Sequence, residues 1–214
     1  MTPFEEGPSA PGRSDVRFVG ALMGKYLLAS RRDRAACVQV FACRLQSISP
    51  RQLVASAPVV GDLGEGMSAS FEPFGLLRGR VERMIDGGFA VAIEAEPDDR
   101  ALLAKRIAWY KRRTFNGLTD KRAHRRLMPR DPRSLLMLAD GRALECLIID
   151  MSRSGAAVSA DIQPAIGTPL AIGTVVGRVV RWLDVGFAVR FVVEQDEMTL
   201  EDSLHPVPQL QLDC

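Results

Sequence analysis

At 214 residues, with 47% apolar and 25% charged residues and a formal net charge of +2, the chain has an ordinary globular balance. That leaves one large or two small domains open, with material for real cores. It argues against a surface given over wholly to nucleic acid or membrane, while leaving room for a local basic patch.

Residues 1–15, MTPFEEGPSAPGRSD, hold Pro, Gly, Ser and acids without an apolar export core and read as a disordered tail. The apolar stretch Val16 to Leu28 is broken by Arg17 and Lys25 and is too short to span a bilayer, so no membrane insertion is expected. Short strands are expected at Ala36–Ile48, Leu53–Ala57 and Met67–Phe71. A hairpin follows over 79–96, and then a helix over 98–115. The helix carries acids at its start, the cations Lys111, Arg112 and Arg113 near its end, and Leu102, Leu103, Ile107 and Tyr110 as an apolar stripe. Asn116 and Gly117 are placed to end it. Strands resume at Leu135–Leu138, Ala143–Asp150, Ala156–Ala160 and Pro169–Ile172 before a second hairpin over 177–194, with a tail from 205 to 214.

The two hairpins are copies of each other. GRVERMIDGGFAVAIEAE (79–96) and GRVVRWLDVGFAVRFVVE (177–194) agree at ten of eighteen positions. A single repeat at a separation of 98 residues marks two copies of one domain rather than a solenoid. The fold class that follows is mainly β: two small antiparallel barrels, at 16–97 and 118–204, joined by a helix over 98–117. Closure would remove the unpaired edges of such short strands.

The four cysteines, Cys37, Cys43, Cys146 and Cys214, match no zinc or redox spacing, and His124 and His205 add too few ligands for a metal site. No metal or cofactor is expected, and the cysteines read as reduced thiols of a cytoplasmic protein. No phosphate-binding glycine loop of the GxxxxGK[ST] kind occurs, and neither histidine has an evident catalytic partner, so an enzyme is not expected.

Chemistry concentrates in two segments. DKRAHRRLMP (120–129) contains Arg122 and Arg126 four apart, and DMSRSGAAV (150–158) contains Asp150, Ser152 and Gly155. An arginine offers a planar fork of donors to phosphate oxygens or to guanine O6 and N7, and its flat face can stack on a base. A carboxylate can accept from guanine N1 and N2. Ser152, two residues on, shares the strand face of Asp150. Each segment alone has a bland reading: a solvated basic face, or a turn in which Asp and Ser cap backbone donors.

Together, in this order and ahead of a closing hairpin, RxxxR and DxSxxG resemble the signature of the PilZ family. The resemblance implies PilZ-like barrels and a receptor for the second messenger cyclic di-GMP that relays it to a protein partner governing motility, exopolysaccharide or surface attachment. It implies Arg122, Arg126, Asp150, Ser152 and Gly155 as ligand-binding residues, with Lys121, Arg125 and Trp182 as possible further contacts. Core or barrel-rim packing is an equal reading for Trp182. The first copy lacks the signature: aligning 43–56 with 146–160 puts Ser47 at the Asp150 position, Ser49 at Ser152 and Gln52 at Gly155. The alternatives are a protein adaptor with an inactive site and, with less in its favour, a nucleic-acid binder using the basic segment 121–133.

Overall fold

The computed structural model describes residues 16–31, 38–114 and 127–205. Its first six strands are β1 (Phe18–Leu28), β2 (Phe41–Ile48), β3 (Gln52–Ser56), β4 (Gly66–Phe71), β5 (Gly75–Ile85) and β6 (Gly88–Ile93). They close into an antiparallel barrel in the order β1-β2-β3-β6-β5-β4. After helix α1 (Pro97–Thr114) come β7 (Arg133–Leu138), β8 (Ala143–Ser152), β9 (Gly155–Ala160), β10 (Pro169–Ile172), β11 (Val175–Leu183) and β12 (Gly186–Phe191). These close in the same order, β7-β8-β9-β12-β11-β10.

The repeated hairpin is repeated because barrel closure demands the same residues twice. A Cβ on Gly88 would lie 2.1 Å from the Ala55 carbonyl oxygen, and one on Gly186 would lie 2.0 Å from that of Val158. Arg80 donates to the Gly64 carbonyl at 3.1 Å and Arg178 to that of Gly167 at 3.2 Å, each arginine holding the turn that precedes its barrel's fourth strand. Phe89 and Phe187 are completely buried in their respective cores. The identities at Gly, Arg and Phe are therefore structural.

Each barrel is plugged by the helix that follows its sixth strand. Leu103 and Ile107 of α1 enter the first core, and Phe18, Phe74 and Tyr110 pack edge-on around it. Leu200 and Leu204 of the short helix α2 (Leu200–Leu204) do the same for the second, both with no exposed area. In both helices an i, i+4 pair faces inward. The helix that joins the barrels thus also completes the first barrel's core. Leu102, assigned to its buried stripe, lies outside that stripe and is 46% exposed. Asn116, Gly117 and the tails at 1–15 and 206–214 lie outside the described residues.

Two elements had no counterpart in the sequence reading, β1 and α2. The alternation of β1 is blurred because Gly20 and Gly24 leave room for rings: a Cβ at Gly20 would meet the Phe18 ring at 2.6 Å, and one at Gly24 the Phe71 ring at 2.4 Å. Helix α2 is too short to carry a period. Among the described cysteines, Cys43 and Cys146 are free, buried and at equivalent positions of β2 and β8. Burial pushes the Cys146 thiol up to about 12 and the Cys43 thiol further up, which makes both poor nucleophiles. Cys37 and Cys214 lie outside the described residues.

Closure through Gly186 is testable. Gly186→Ala forces the new methyl into the Val158 carbonyl and is expected to cost about 1–3 kcal/mol in urea unfolding. At Gly141 a Cβ meets nothing within 4 Å, so Gly141→Ala should cost only the left-handed backbone penalty of about 1 kcal/mol. Equal losses at the two sites would contradict this account of the repeat.

Candidate functional site

The β8–β9 hairpin carries Asp150 and Ser152 on its first strand and Gly155 at the start of its second. Ser152 pairs with Gly155 across the two-residue turn, and a bulge interrupts the register between Ile148 and Asp150. The bulge matters. Ile148 is a core residue, and in unbroken alternation Asp150 would point inward with it. The extra residue turns Asp150 outward instead. Beyond it, Met151 points into the core at 2% exposure while Asp150 and Ser152 flank it, half-buried, on the outer face. The shared face expected from their spacing is present. Asp150 is already engaged within the protein. Ser152 donates from Oγ to the Gly155 carbonyl at 3.2 Å.

Gly155 has a reason internal to the barrel: a Cβ there would lie 2.3 Å from the Val189 carbonyl oxygen. The glycine first answers to the close approach of β12. Trp182 is 51% exposed, and its indole Nε1 donates to the Pro164 carbonyl at 2.8 Å. Its ring lies on the barrel surface rather than in the core. Lys121, Arg122, Arg125 and Arg126 lie outside the described residues.

The chain re-enters the described structure at Leu127, and there it is fixed. Leu127 N–H donates to the Met151 carbonyl and Met151 N–H to the Leu127 carbonyl, both at 2.9 Å. This antiparallel bridge joins the segment immediately after Arg126 to the residue between Asp150 and Ser152. The sequence alone offered no sign of it, since an isolated bridge has no pattern.

The first barrel repeats the hairpin without the chemistry. Its bulge falls between Leu45 and Ser47, with Ser47 paired to Val54 and Ile48 to Leu53. Superposing this register on that of β8–β9 puts Ser47 at Asp150, Ser49 at Ser152 and Gln52 at Gly155, as in the sequence alignment. Ser49 Oγ still donates to the Gln52 carbonyl, at 3.3 Å. The turn is kept; the carboxylate is not.

The two barrels are docked through groups the sequence did not single out. Leu147 and Ser159 face away from the second core yet are 1% and 0% exposed, and Ser159 Oγ accepts from the Ala42 N–H of β2 at 3.0 Å. Arg44, also on β2, donates to the carbonyls of Pro129 and Arg130, the latter at 2.8 Å. Arg133 binds Asp131 of its own barrel at 3.0 Å and Asp86 of the first barrel at 2.5 Å. Its side chain crosses over Gly87, where a Cβ would lie 2.2 Å from Arg133 Cδ and where φ is +65°. One signal was legible in retrospect: the two hairpin turns read Asp86-Gly87 and Asp184-Val185, and the glycine marks the turn that is covered.

These contacts set local charge states. Burial pulls the Asp131 carboxyl up, but the bonds from Arg133 outweigh it and hold the group below the usual carboxylate range. Arg133 is held protonated by its bonds to Asp131 and then Asp86. Among the described residues no cluster of three or more His, Cys, Asp or Glu could hold a metal ion. No described helix is long and apolar enough to cross a membrane.

A chain of two like barrels, one of which presents an outward acid and serine beside an anchored strand entry, is a two-module protein with one candidate ligand site. Residues 120–204, which include the second barrel, match the family model described as PilZ domain. No curated protein matches the chain. Solved structures similar to it include the Borreliella burgdorferi PlzA protein in complex with c-di-GMP, at 12% identity over 86% of this chain and 87% of that one, with a TM-score of 0.30. The K. pneumonia MrkH–c-di-GMP complex is similar at 9% identity over 85% and 83%, with a TM-score of 0.26. YcgR from Escherichia coli in complex with c-di-GMP is similar at 13% identity over 86% and 80%, with a TM-score of 0.25.

Because Asp131 has a lowered folded-state pKa, its contribution is present above the unfolded carboxylate value of about 3.9 and is lost as pH falls below it. Stability measured by denaturant titration should therefore drop on the acid side, and Asp131→Asn should flatten that part of the profile. An unchanged acid slope in the variant would remove Asp131 as a contributor to stability.

Proposed function

We propose that the chain is a cyclic di-GMP receptor that binds the messenger on its second barrel through Arg122, Arg126, Asp150 and Ser152. The observation that carries this is the bridge between Leu127 and Met151. Leu127 follows Arg126 in the sequence, and the bridge holds Leu127 against Met151, the residue between the acid and the serine, which supports a shared site. The match of 120–204 to the PilZ domain spans both motifs and supports the same reading.

In this reading the two guanidinium forks take phosphate oxygens or guanine O6 and N7, and their faces stack on the bases. The Asp150 carboxylate accepts from guanine N1 and N2, exchanging its present partner for the base and selecting guanine over adenine. Ser152 Oγ adds a hydrogen bond from the same face. Gly155 keeps the hairpin close to β12 and leaves no side chain over the ligand. Lys121 and Arg125 add positive charge, and the exposed ring of Trp182 is a candidate stacking surface. The first barrel has no carboxylate at Ser47 and no glycine at Gln52, so a single site is expected.

The barrel interface supplies a route outward. Arg44 of the first barrel holds the carbonyls of Pro129 and Arg130, three and four residues past Arg126. Closing the loop on the ligand would load that contact and, beside it, the Arg133–Asp86 pair, shifting one barrel against the other. We assign the output to a protein partner in the cytoplasm controlling motility, exopolysaccharide or attachment. On incubation with the protein the nucleotide is expected to be recovered unchanged, which would separate a receptor from an enzyme.

A calorimetric titration with cyclic di-GMP tests this. A charge-assisted hydrogen bond contributes roughly 1.5–3 kcal/mol, so Arg122→Ala and Arg126→Ala should each weaken binding by about tenfold to several hundredfold. Asp150→Ala should weaken it and reduce the preference for guanine over adenine. Undiminished affinity in all three variants would remove the site.

A further inference from the structure

Helix α1 buries one face in the first barrel and leaves the other exposed, with no partner element among the described residues. Along that outer face run Leu102, Lys105, Trp109, Arg112 and Arg113, one or two per turn. Trp109 is 50% exposed and Leu102 46%. The Arg113 guanidinium lies 5.0 Å from the Trp109 ring centroid. Lys105 and Arg112 have no ion pair among the described residues. The acids of the helix, Asp98 and Asp99, sit in its first turn, two turns or more from Trp109. Beside the stripe, a recess of about 320 Å³ is floored by Phe74, Leu77 and Leu103, and Leu76 stands at its mouth, 62% exposed.

The helix dipole accounts for cations in the last turn. It does not account for Lys105 in mid-helix, nor for an exposed indole and leucine among the cations. A convex arc that offers an amphipathic ring and an aliphatic side chain, surrounded by guanidinium and ammonium groups, matches the boundary of an anionic bilayer. There the indole sits at headgroup depth, the cations meet phosphates, and the long side chains extend around the ring. Among the described residues, the hydrogen bonds and ion pairs to the second barrel come from Arg31, Ala42, Arg44 and Asp86, not from α1, and the side chains of Leu102 and Trp109 stay exposed.

We infer that the outer face of α1 is a peripheral docking surface for anionic lipid headgroups, with Trp109 as the interfacial anchor and Lys105, Arg112 and Arg113 as the phosphate contacts. The chain rests on the bilayer by this face and does not enter its core. This inference is independent of nucleotide binding and stands or falls separately from it.

The test is co-sedimentation of the full chain with vesicles of phosphatidylcholine containing about one-third phosphatidylglycerol, against vesicles of phosphatidylcholine alone. Binding is expected only to the anionic vesicles and should fall steeply with salt. Each cation near the surface is worth about fivefold in partitioning, so Arg112→Gln combined with Arg113→Gln should lower binding by about 25-fold. In a Trp182→Phe background, the remaining Trp109 emission should shift to the blue on binding. All these positions are on an exposed face, and circular dichroism checks that the variants fold. No binding to anionic vesicles, or binding unaffected by the double variant, overturns the inference. Saturable binding to duplex DNA or polyglutamate with none to vesicles overturns it as well and reassigns the face to a macromolecular polyanion.

Discussion

The β8–β9 hairpin is the piece on which the rest depends, because its two ends do different work on one pair of strands. Toward its interior face Cys146, Ile148, Ala156 and Val158 belong to the second core. At its open end Leu147 and Ser159 face outward and are buried under the first barrel. At its turn Asp150 and Ser152 face outward and stay partly accessible. A single bulge between Ile148 and Asp150 reconciles these demands. It lets one strand send an aliphatic residue inward and, two residues later, a carboxylate outward.

The first barrel shows what happens when the framework is kept and the chemistry is not. Its bulge, its serine-capped turn and its glycine-dependent closure match those of the second barrel, while the carboxylate position holds Ser47. What it gained is a role as a wall. Arg44 and Asp86 reach the chain between Pro129 and Arg133, the short run that leads from the arginine-rich segment into β7. A barrel with no evident ligand of its own thereby touches the segment that the proposed ligand would order.

Much of this was legible in the sequence, and the reasons are physical. The hairpins were plain because close backbone approach and turn geometry admit few residues, so Gly88 and Gly186 or Phe89 and Phe187 recur. The acid–serine strand end could be read because a period of two fixes which residues share a face. What could not be read falls into two kinds. Strand β1 was obscured by Gly20 and Gly24, whose missing side chains make space for Phe18 and Phe71 and erase the alternation. The Leu127–Met151 bridge, the Arg44 contact and the Arg133–Asp86 pair are single long-range contacts, and no local pattern encodes them. Leu102 was misread for a related reason: it neighbours the stripe of Leu103 and Ile107 on the helix surface but points past the edge of the barrel.

In the proposed receptor, the segment ending at Leu127 and the strand end at Met151 form one ligand-ordered unit. Amide hydrogen exchange on the full chain, with and without saturating cyclic di-GMP, reads that unit directly. Exchange is expected to slow together across 120–127 and at 150–155 when the nucleotide is added, while the equivalent turn of the first barrel at 47–52 is unaffected. Protection that leaves both second-barrel segments unchanged at saturation, or that appears at 47–52 instead, would contradict it.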